Sequence, residues 1–156
     1  MSTSETSGLV CELADLPALV GRHAGYTAWH TMEQERVNLF ADAADDHQFI
    51  HVDPERAKAT PFGGTIAHGY LTLSLVAPIL SELVDVTDAK MGLNYGLDRV
   101  RFPAPLPVGA RWRGGAELAD ATEIPGGQQM KLKVTVEVEG AEKPAMVAEA
   151  LVRLYG

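Results

Sequence analysis

Hydrophobic and polar residues alternate along the second half of the chain. Lys131, Lys133 and Thr135 are separated by Leu132 and Val134, so successive side chains change character at every step. A period of two is typical of a β-strand with one face in solvent and the other packed. The pattern predicts four long strands at residues 91–102, 110–122, 129–139 and 145–155, with turns at 125–127 and 139–140.

An apolar segment at residues 67–83 has a different pattern. Its leucine, valine and isoleucine side chains fall on nearly every side of a helix, which is typical of a helix enclosed by protein. The four strands must then form a sheet that wraps this helix, so we expect an α+β fold. Pro78 lies inside the segment and should bend the helix there, because proline lacks a backbone N–H.

Shorter helical signals precede this segment. Thr31 followed by Gln34 is a capping-box pattern and predicts a helix over residues 32–44. Asp53 resembles an N-cap, with Pro54 at the first helical position of a short helix to residue 59. Asp46 would lie just past the end of the first helix, and His51 would lie in the connector between the two.

The composition indicates one globular domain. With 156 residues, 46% hydrophobic and 22% charged, we expect a single domain at 9–156 after a disordered tail at 1–8. A net charge of −8 and a pI near 5.0 argue against nucleic-acid partners and a basic membrane-surface helix. Cys11 is the only cysteine, which excludes an intramolecular disulfide and a cysteine zinc site.

The location of the protein is predicted from its first residues and from its longest apolar stretch. The first residues carry neither a basic region nor an apolar core of a secretory signal. The longest apolar stretch, 70–80, is too short to span a bilayer. We therefore expect a cytoplasmic protein whose partners are small molecules or a second copy of itself.

Residues 44–69, ADDHQFIHVDPERAKATPFGGTIAHG, hold the strongest candidate chemistry. Asp46 and His51 are a carboxylate and an imidazole five positions apart, and such a pair can give and take protons near neutral pH. The loop at Gly63 and Gly64 would let a ligand approach the backbone. His68 is predicted to be buried and hydrogen-bonded, and it need not face the pair. Because metal-ligand spacings are lacking, we expect no metal.

Three motifs in this order resemble a known family. They are residues 46–54 (DHQFIHVDP), 66–69 (IAHG) and 101–109 (RFPAPLPVG), and together they resemble the MaoC-like hydratases, the (R)-specific enoyl-CoA hydratases or hydratase 2. Residues 16–155 are similar to the nodulation-protein-N-like branch. Many members carry Asn-Pro between the catalytic Asp and His, whereas this chain has Gln48 and Phe49, which leaves the loop less rigid.

The resemblance implies a hot-dog fold, in which a curved antiparallel sheet wraps a long central helix. It also implies a homodimer with a tunnel for an acyl thioester. Asp46 and His51 would hold one water for syn addition to trans-2-enoyl-CoA, giving (R)-3-hydroxyacyl-CoA. CoA enters only as part of the substrate, so no separate cofactor is expected. Fatty acid metabolism is implied, with the pathway and the acyl chain length left open.

The remaining site residues are predicted around that pair. The Gly69 N–H, on the first turn of the central helix, is the expected oxyanion donor, although a glycine there also permits tight helix entry. Arg99, Arg101, Arg111 and Arg113 are candidates for a basic patch that binds the anionic handle, or they are solvated strand residues. The expected substrate-binding residues are Gln48, Gly64, Thr65, Ile66, Asn94 and Tyr95. For Asn94 and Tyr95, packing at a dimer edge is an equal alternative.

Other functions stay open at this level. The alternatives to the hydratase are a 3-hydroxyacyl carrier-protein dehydratase, which has the same site with a different handle, and a non-catalytic subunit that binds acyl thioesters. A thioesterase is a weaker alternative, because the motif differs from that of hot-dog thioesterases. Which of Asp46 and His51 acts as acid or base at each step also stays open.

Overall fold

Five α-helices, a 3-10 helix and eight strands make up residues 8–156, which are the residues that the computed structural model describes. Apart from Gly8, the predicted tail lies outside them. The elements are β1 (Leu9–Cys11), the 3-10 helix (Leu13–Leu19), β2 (His23–Tyr26), β3 (His30–Thr31), α1 (Gln34–Ala44), α2 (Phe49–Val52), α3 (Pro54–Ala57), α4 (Gly69–Ser74), α5 (Val76–Leu83), β4 (Val84–Val86), β5 (Met91–Arg101), β6 (Arg111–Ile124), β7 (Gly127–Val138) and β8 (Met146–Tyr155).

The long strands form an antiparallel sheet in the order β2-β6-β7-β8-β5, and β3 also pairs with β6. Strands β5 to β8 begin and end within a few residues of the predicted bounds. Burial alternates along β7 and β8, so that Leu132 and Val134 are fully buried while Lys131 and Lys133 face outward. The predicted alternation of wet and packed faces is therefore confirmed.

The central helical segment packs its buried face against this sheet. Leu75 and Ile79 are fully buried, and α5 contacts β6 where the sheet carries Gly114. A Cβ at Gly114 would overlap the Ile79 side chain, so the glycine is what lets the helix lie this close to the strand. The core thus lies between α4, α5 and the inner face of the sheet.

The central segment differs from the single bent helix predicted at 67–83. It begins at Gly69 and is interrupted at Leu75, where α4 ends and α5 begins. The break precedes Pro78, because the ring of a proline clashes with the carbonyl four residues earlier, which here belongs to Ser74. Only one face is buried: Tyr70 is 73% exposed, and Ala77 and Pro78 are also exposed. Residues 8–156 therefore do not enclose the central segment completely.

The helices before the site differ in detail from the prediction. Helix α1 begins at Gln34 with Glu33 as its N-cap, and Thr31 belongs to β3, so the predicted capping box is wrong. The predicted N-cap of α3 is confirmed, because Asp53 Oδ1 accepts the Arg56 N–H at 3.2 Å. His51 lies in α2, a single helical turn, and not in an irregular connector.

Several short elements were absent from the sequence prediction. They are the 3-10 helix and strands β1 to β4, of which β1 and β4 form a separate parallel pair. Each strand has two to four residues, too few for a hydrophobic period to be visible. Within residues 8–156, none of the helices is long and apolar enough to cross a membrane.

Candidate active site

Asp46 follows the C-terminal end of α1, as predicted. Its neighbour Asp45 adopts the left-handed conformation, with φ 56°, and ends the helix. Aspartate tolerates this conformation better than most residues. The Asp46 N–H then donates to the Ala41 carbonyl at 3.0 Å, and the Gln48 N–H donates to Asp46 Oδ1 at 3.3 Å. These two bonds hold the turn that carries the exposed Asp46 carboxylate.

His51 is buried, at 6% exposure, and its ring is oriented by the next segment of the chain. Its Nδ1 lies 2.7 Å from the Ile66 carbonyl oxygen. Because a carbonyl can only accept, Nδ1 carries the proton and Nε2 of the neutral ring carries a lone pair. Burial lowers the pKa of His51; the Ile66 carbonyl opposes this shift, and His68 adds to it. The ring is thus kept neutral near pH 7.

His68 is buried and hydrogen-bonded, as predicted, and it also contacts the Asp-His pair. Its ring stacks on that of His51, with centroids 3.9 Å apart and planes at 23°. Its Nε2 lies 2.9 Å from the Asp46 backbone oxygen. Sequence reasoning left this contact open, because neighbouring helical residues point in different directions.

The three side chains form one cluster. Asp46, His51 and His68 each place an oxygen or a nitrogen within 4.8 Å of the other two. Two histidines and a carboxylate can bind a metal. Here, however, the two rings lie in nearly parallel planes, so their in-plane lone pairs do not converge on one point. The arrangement is better suited to holding water and moving protons than to holding an ion.

Gly69 lines a cavity of about 290 Å³ beside this cluster. Ile66, Phe62 and Phe102 also line it, together with the 103–106 loop. Ile66 connects the cavity to the pair, because its carbonyl accepts the His51 hydrogen bond. Among the described residues that line the cavity, neither Asp46 nor His51 appears. Ile66 therefore borders both the cavity and the pair, and Gly69 lies in the cavity wall.

The predicted substrate-binding residues near the pair have separate roles. Gln48 acts through its backbone, as the donor to Asp46 and as the acceptor of the His51 N–H at 3.0 Å. Thr65 is buried, and its hydroxyl donates to Gln34 at 2.6 Å, so it serves the structure of the loop. Gly64 is partly buried beside it. Of this group, Ile66 reaches the cavity.

Asn94 and Tyr95 line a second cavity, of about 330 Å³, with residues of α4, α5 and β8. Ser74 and Ala77 form its helical side, and Arg153 lies over the Tyr95 ring at 3.5 Å. Neither Asp46 nor His51 lines this cavity. The structure therefore separates Asn94 and Tyr95 from the acid/base pair, although both regions border α4.

The four candidate arginines divide into two pairs. Arg111 forms a salt bridge with Glu139 at 2.9 Å, and Arg113 forms one with Glu137 at 2.8 Å. Each of these two arginines therefore has a carboxylate partner on the surface. Arg99 and Arg101 line a groove of about 370 Å³ with Lys133, and Pro103 belongs both to this groove and to the Gly69 cavity.

Gln34 is a site residue that the sequence did not reveal as one. Its Nε2 donates to the His51 carbonyl at 2.7 Å, and its Oε1 accepts the Thr65 hydroxyl. It therefore links the first turn of α1 to both segments that hold His51. The partners lie 17 and 31 positions away, and a backbone carbonyl has no sequence signature, so only the fold reveals the link.

Solved structures share this architecture. The (R)-hydratase from A. caviae involved in PHA biosynthesis matches with a TM-score of 0.72 and 25% identity, covering 86% of this chain and 96% of that one. The unliganded R-hydratase PhaJ1 from Pseudomonas aeruginosa matches with a TM-score of 0.70 and 21% identity, covering 87% and 81%. The protein thus has a hot-dog fold, and the predicted α+β fold class is confirmed.

Sequence comparisons then identify the family. A model described as MaoC like domain matches residues 15–142. A 3-hydroxyacyl-thioester dehydratase Z of Mycobacterium tuberculosis is 52% identical over 142 residues, covering 90% of this chain and 94% of the relative. Nodulation protein N of Rhizobium leguminosarum bv. viciae is 48% identical over 140 residues, covering 87% and 86%. The chain belongs to the MaoC-like family and is a hydro-lyase of that dehydratase and hydratase class.

Proposed function

We propose that this protein is an (R)-specific enoyl-CoA hydratase, which reversibly adds water to trans-2-enoyl-CoA to give (R)-3-hydroxyacyl-CoA. The broader activity, that of a MaoC-type dehydratase on hydroxyacyl thioesters, follows from the family and from the 52% identical relative. The observation that carries the finer proposal is the placement of the Asp46 and His51 side-chain atoms within 4.8 Å of each other. Two groups this close can both contact one water molecule.

The proposed reaction uses both groups on one water. One of them takes a proton as the water oxygen bonds to the β-carbon, and the other delivers a proton to the α-carbon. The reverse reaction returns the same protons and releases water. The group that delivers a proton must carry it before the reaction, and the proton that the other group takes from water restores the pair after turnover. The pair therefore holds one transferable proton, and either assignment of the two steps balances.

Negative charge that builds up on the thioester oxygen needs a donor already aimed at it. An N–H in the first turn of a helix has no intrahelical acceptor, and Gly69 is the first residue of α4. Its position in the wall of the 290 Å³ cavity supports the role of oxyanion donor. In this proposal the acyl group occupies that cavity, with its β-carbon directed towards the pair that Ile66 contacts.

A matched pair of variants tests this donor. Gly69→Pro removes the N–H, and proline is accepted at the first helical position. The preceding residue already has the extended geometry that a proline requires, since His68 has φ −59° and ψ 143°. Gly69→Ala keeps the N–H and adds the same Cβ, 3.3 Å from the Phe102 ring. We expect kcat of the proline variant to be about 100-fold below that of the alanine variant; equal values would exclude the donor.

We also propose that the functional unit is a homodimer, formed on β5 and the open face of the central helices. Strand β5 is the edge of the sheet, and Met91, Leu93, Tyr95 and Leu97 on it are 44–56% exposed. Residues 91–97 carry no charge, although exposed edge strands are usually protected by charge or by brevity. A second copy would cover this strand and the exposed side of α4 and α5.

The decisive measurement for the function is hydration of crotonyl-CoA and of a longer enoyl-CoA, followed by absorbance, with chiral analysis of the product. We expect turnover and an (R) product. Absence of turnover, or an (S) product, would refute the proposal. The same acyl group on a carrier protein, assayed in parallel, decides between the CoA hydratase and the carrier-protein dehydratase. Release of free thiol would indicate a thioesterase.

A further inference from the structure

His68 is the most completely buried polar side chain of the site, at 2% exposure. Among residues 8–156, only one of its two ring nitrogens has a hydrogen-bond partner. It is the N-cap residue of α4, yet its side chain does not cap that helix. Because Nε2 faces the Asp46 carbonyl, which can only accept, Nε2 carries the proton. The other nitrogen, Nδ1, is buried and has no partner among residues 8–156.

Packing alone does not account for an imidazole here. The ring lies between the His51 ring, at 3.9 Å, and the Phe40 ring, at 4.9 Å between centroids. An apolar ring would fill the same space without a buried nitrogen, and leaving such a nitrogen unpaired costs about 1–3 kcal/mol. What an apolar ring would not supply is the hydrogen bond to the Asp46 carbonyl. That bond is the distinctive contribution of a histidine at this position.

We propose that His68 is a positioning residue for the reaction, which holds the backbone of Asp46 with its Nε2–H and the ring of His51 with its face. The inference rests on the proposed hydratase function. It adds a third residue to the two that contact the water, and that residue acts only through them.

The need for such a residue follows from the position of Asp46. The carboxylate is exposed and lies on a turn just past a helix end, and helix ends fray. Catalysis requires the carboxylate and the imidazole to hold one water at once, and a displacement of about 1 Å can lower a rate about 100-fold. His68 touches both groups, so one rigid ring sets the distance between them.

Two variants separate the two contacts. His68→Phe keeps a ring between His51 and Phe40 and removes the hydrogen bond. His68→Gln keeps an N–H near the position of Nε2 and removes the stacked ring. His23→Gln is the control, because it removes an exposed histidine outside the cluster.

The kinetic expectation is a loss in kcat and not in KM. We expect His68→Phe to lower kcat about 100-fold, with KM within about twofold of the wild type. The kcat of His68→Gln should be about tenfold higher than that of His68→Phe. The kcat of the control should match that of the wild type. In addition, His68 contributes to lowering the pKa of His51, so the limb of the pH–rate profile that reports His51 should move to higher pH in His68→Phe. Packing alone would not produce that shift.

The outcomes decide the inference separately from the function. A wild-type kcat in His68→Phe would overturn it, and so would a loss in both variants that merely follows the unfolded fraction measured by circular dichroism. If the wild type itself shows no turnover, the proposed function fails, and nuclear magnetic resonance decides the positioning role. The Asp46 carbonyl ¹³C and His51 imidazole resonances should then shift in His68→Phe, with the carbonyl restored in His68→Gln; unchanged resonances would overturn it.

Discussion

Two regions of this protein depart from the usual separation of apolar core and polar surface, in opposite directions. Around the acid/base pair, polar groups are buried, among them His51, Thr65 and His68. Along β5, large apolar side chains are exposed instead. Such departures are more informative than ordinary burial, because each requires a partner. Apart from His68 Nδ1, these buried polar groups find theirs inside the chain, whereas the apolar edge finds none among residues 8–156.

The comparison indicates what kind of substitution should disrupt each region. In the first region, the hydrogen bonds of a few side chains determine the geometry, so single polar substitutions should abolish function while the fold is kept. In the second region, the apolar surface is not covered by any of residues 8–156, so substitutions there should act on assembly.

The largest effect is expected at the pair itself. Asp46→Asn and His51→Asn should each lower kcat for crotonyl-CoA at least about 1000-fold, because general acid and base catalysis is lost. The asparagine at 51 keeps an N–H for the Ile66 carbonyl, so the loop should stay in place. Circular dichroism should show a folded protein. His47→Gln is the control, since His47 forms a hydrogen bond with the exposed Asp42. Retention of activity by Asp46→Asn would exclude a catalytic carboxylate.

The second prediction concerns the edge. Leu97→Asp should convert an assembly of two 16.7-kDa chains to a single chain in light scattering, because a charge would be buried at the contact. Activity should fall with assembly. Val10→Asp is the matched control, because Val10 is an exposed apolar residue on β1, outside the proposed contact. If Leu97→Asp keeps the wild-type mass, the proposed interface is wrong.

The sequence predicted the two regions to different extents for physical reasons. Strands β5 to β8 were found because each is long enough to show a period of two. The short strands before residue 32 pair through backbone groups, which no side-chain pattern records. The exposure of β5 was not evident, because an apolar residue that faces a partner chain looks the same in sequence as one that faces the core.

At the site, the sequence predicted the reacting residues but not the hydrogen bonds that hold them in position. Asp46 and His51 were found because they are close in sequence and flanked by recognisable motifs. The bond from His68 to Asp46 spans 22 positions, and the bonds of Gln34 span 17 and 31. Two of these three bonds end on backbone carbonyls, so the chain fold alone specifies them. The residues that position a site are accordingly harder to predict than those that react.

A third prediction tests the hydrogen bonds of Gln34. Gln34→Ala should lower kcat about tenfold and the free energy of unfolding by about 1–3 kcal/mol, because the buried Thr65 hydroxyl and the His51 carbonyl both lose a partner. Asn38→Ala is the control, since it removes only the exposed bond that Gln34 makes within α1. Denaturant unfolding and crotonyl-CoA kinetics measure the two effects. Equal results for the two variants would show that Gln34 does not support the pair.

The smallest expected effect is a pH dependence of stability. Burial lowers the pKa of His51 below its ordinary value of about 6.5, so below that pH the unfolded chain binds a proton that the folded chain does not. The free energy of unfolding should therefore fall as the pH drops from about 6.5 towards the folded pKa. The exposed His47 acts in the opposite sense, because its hydrogen bond to Asp42 raises its pKa, and stability from it is lost as the pH rises through that value.

The difference between wild type and His51→Asn, measured in urea at pH 7.5 and pH 5.5 at one protein concentration, isolates the contribution of His51. We expect the wild type to lose more stability than the variant on acidification, because asparagine does not titrate. His47→Gln should shift the balance the other way, since it removes the group that gains from acid. Parallel losses in the wild type and His51→Asn would mean that the buried imidazole does not resist protonation, and that burial does not keep the His51 ring neutral.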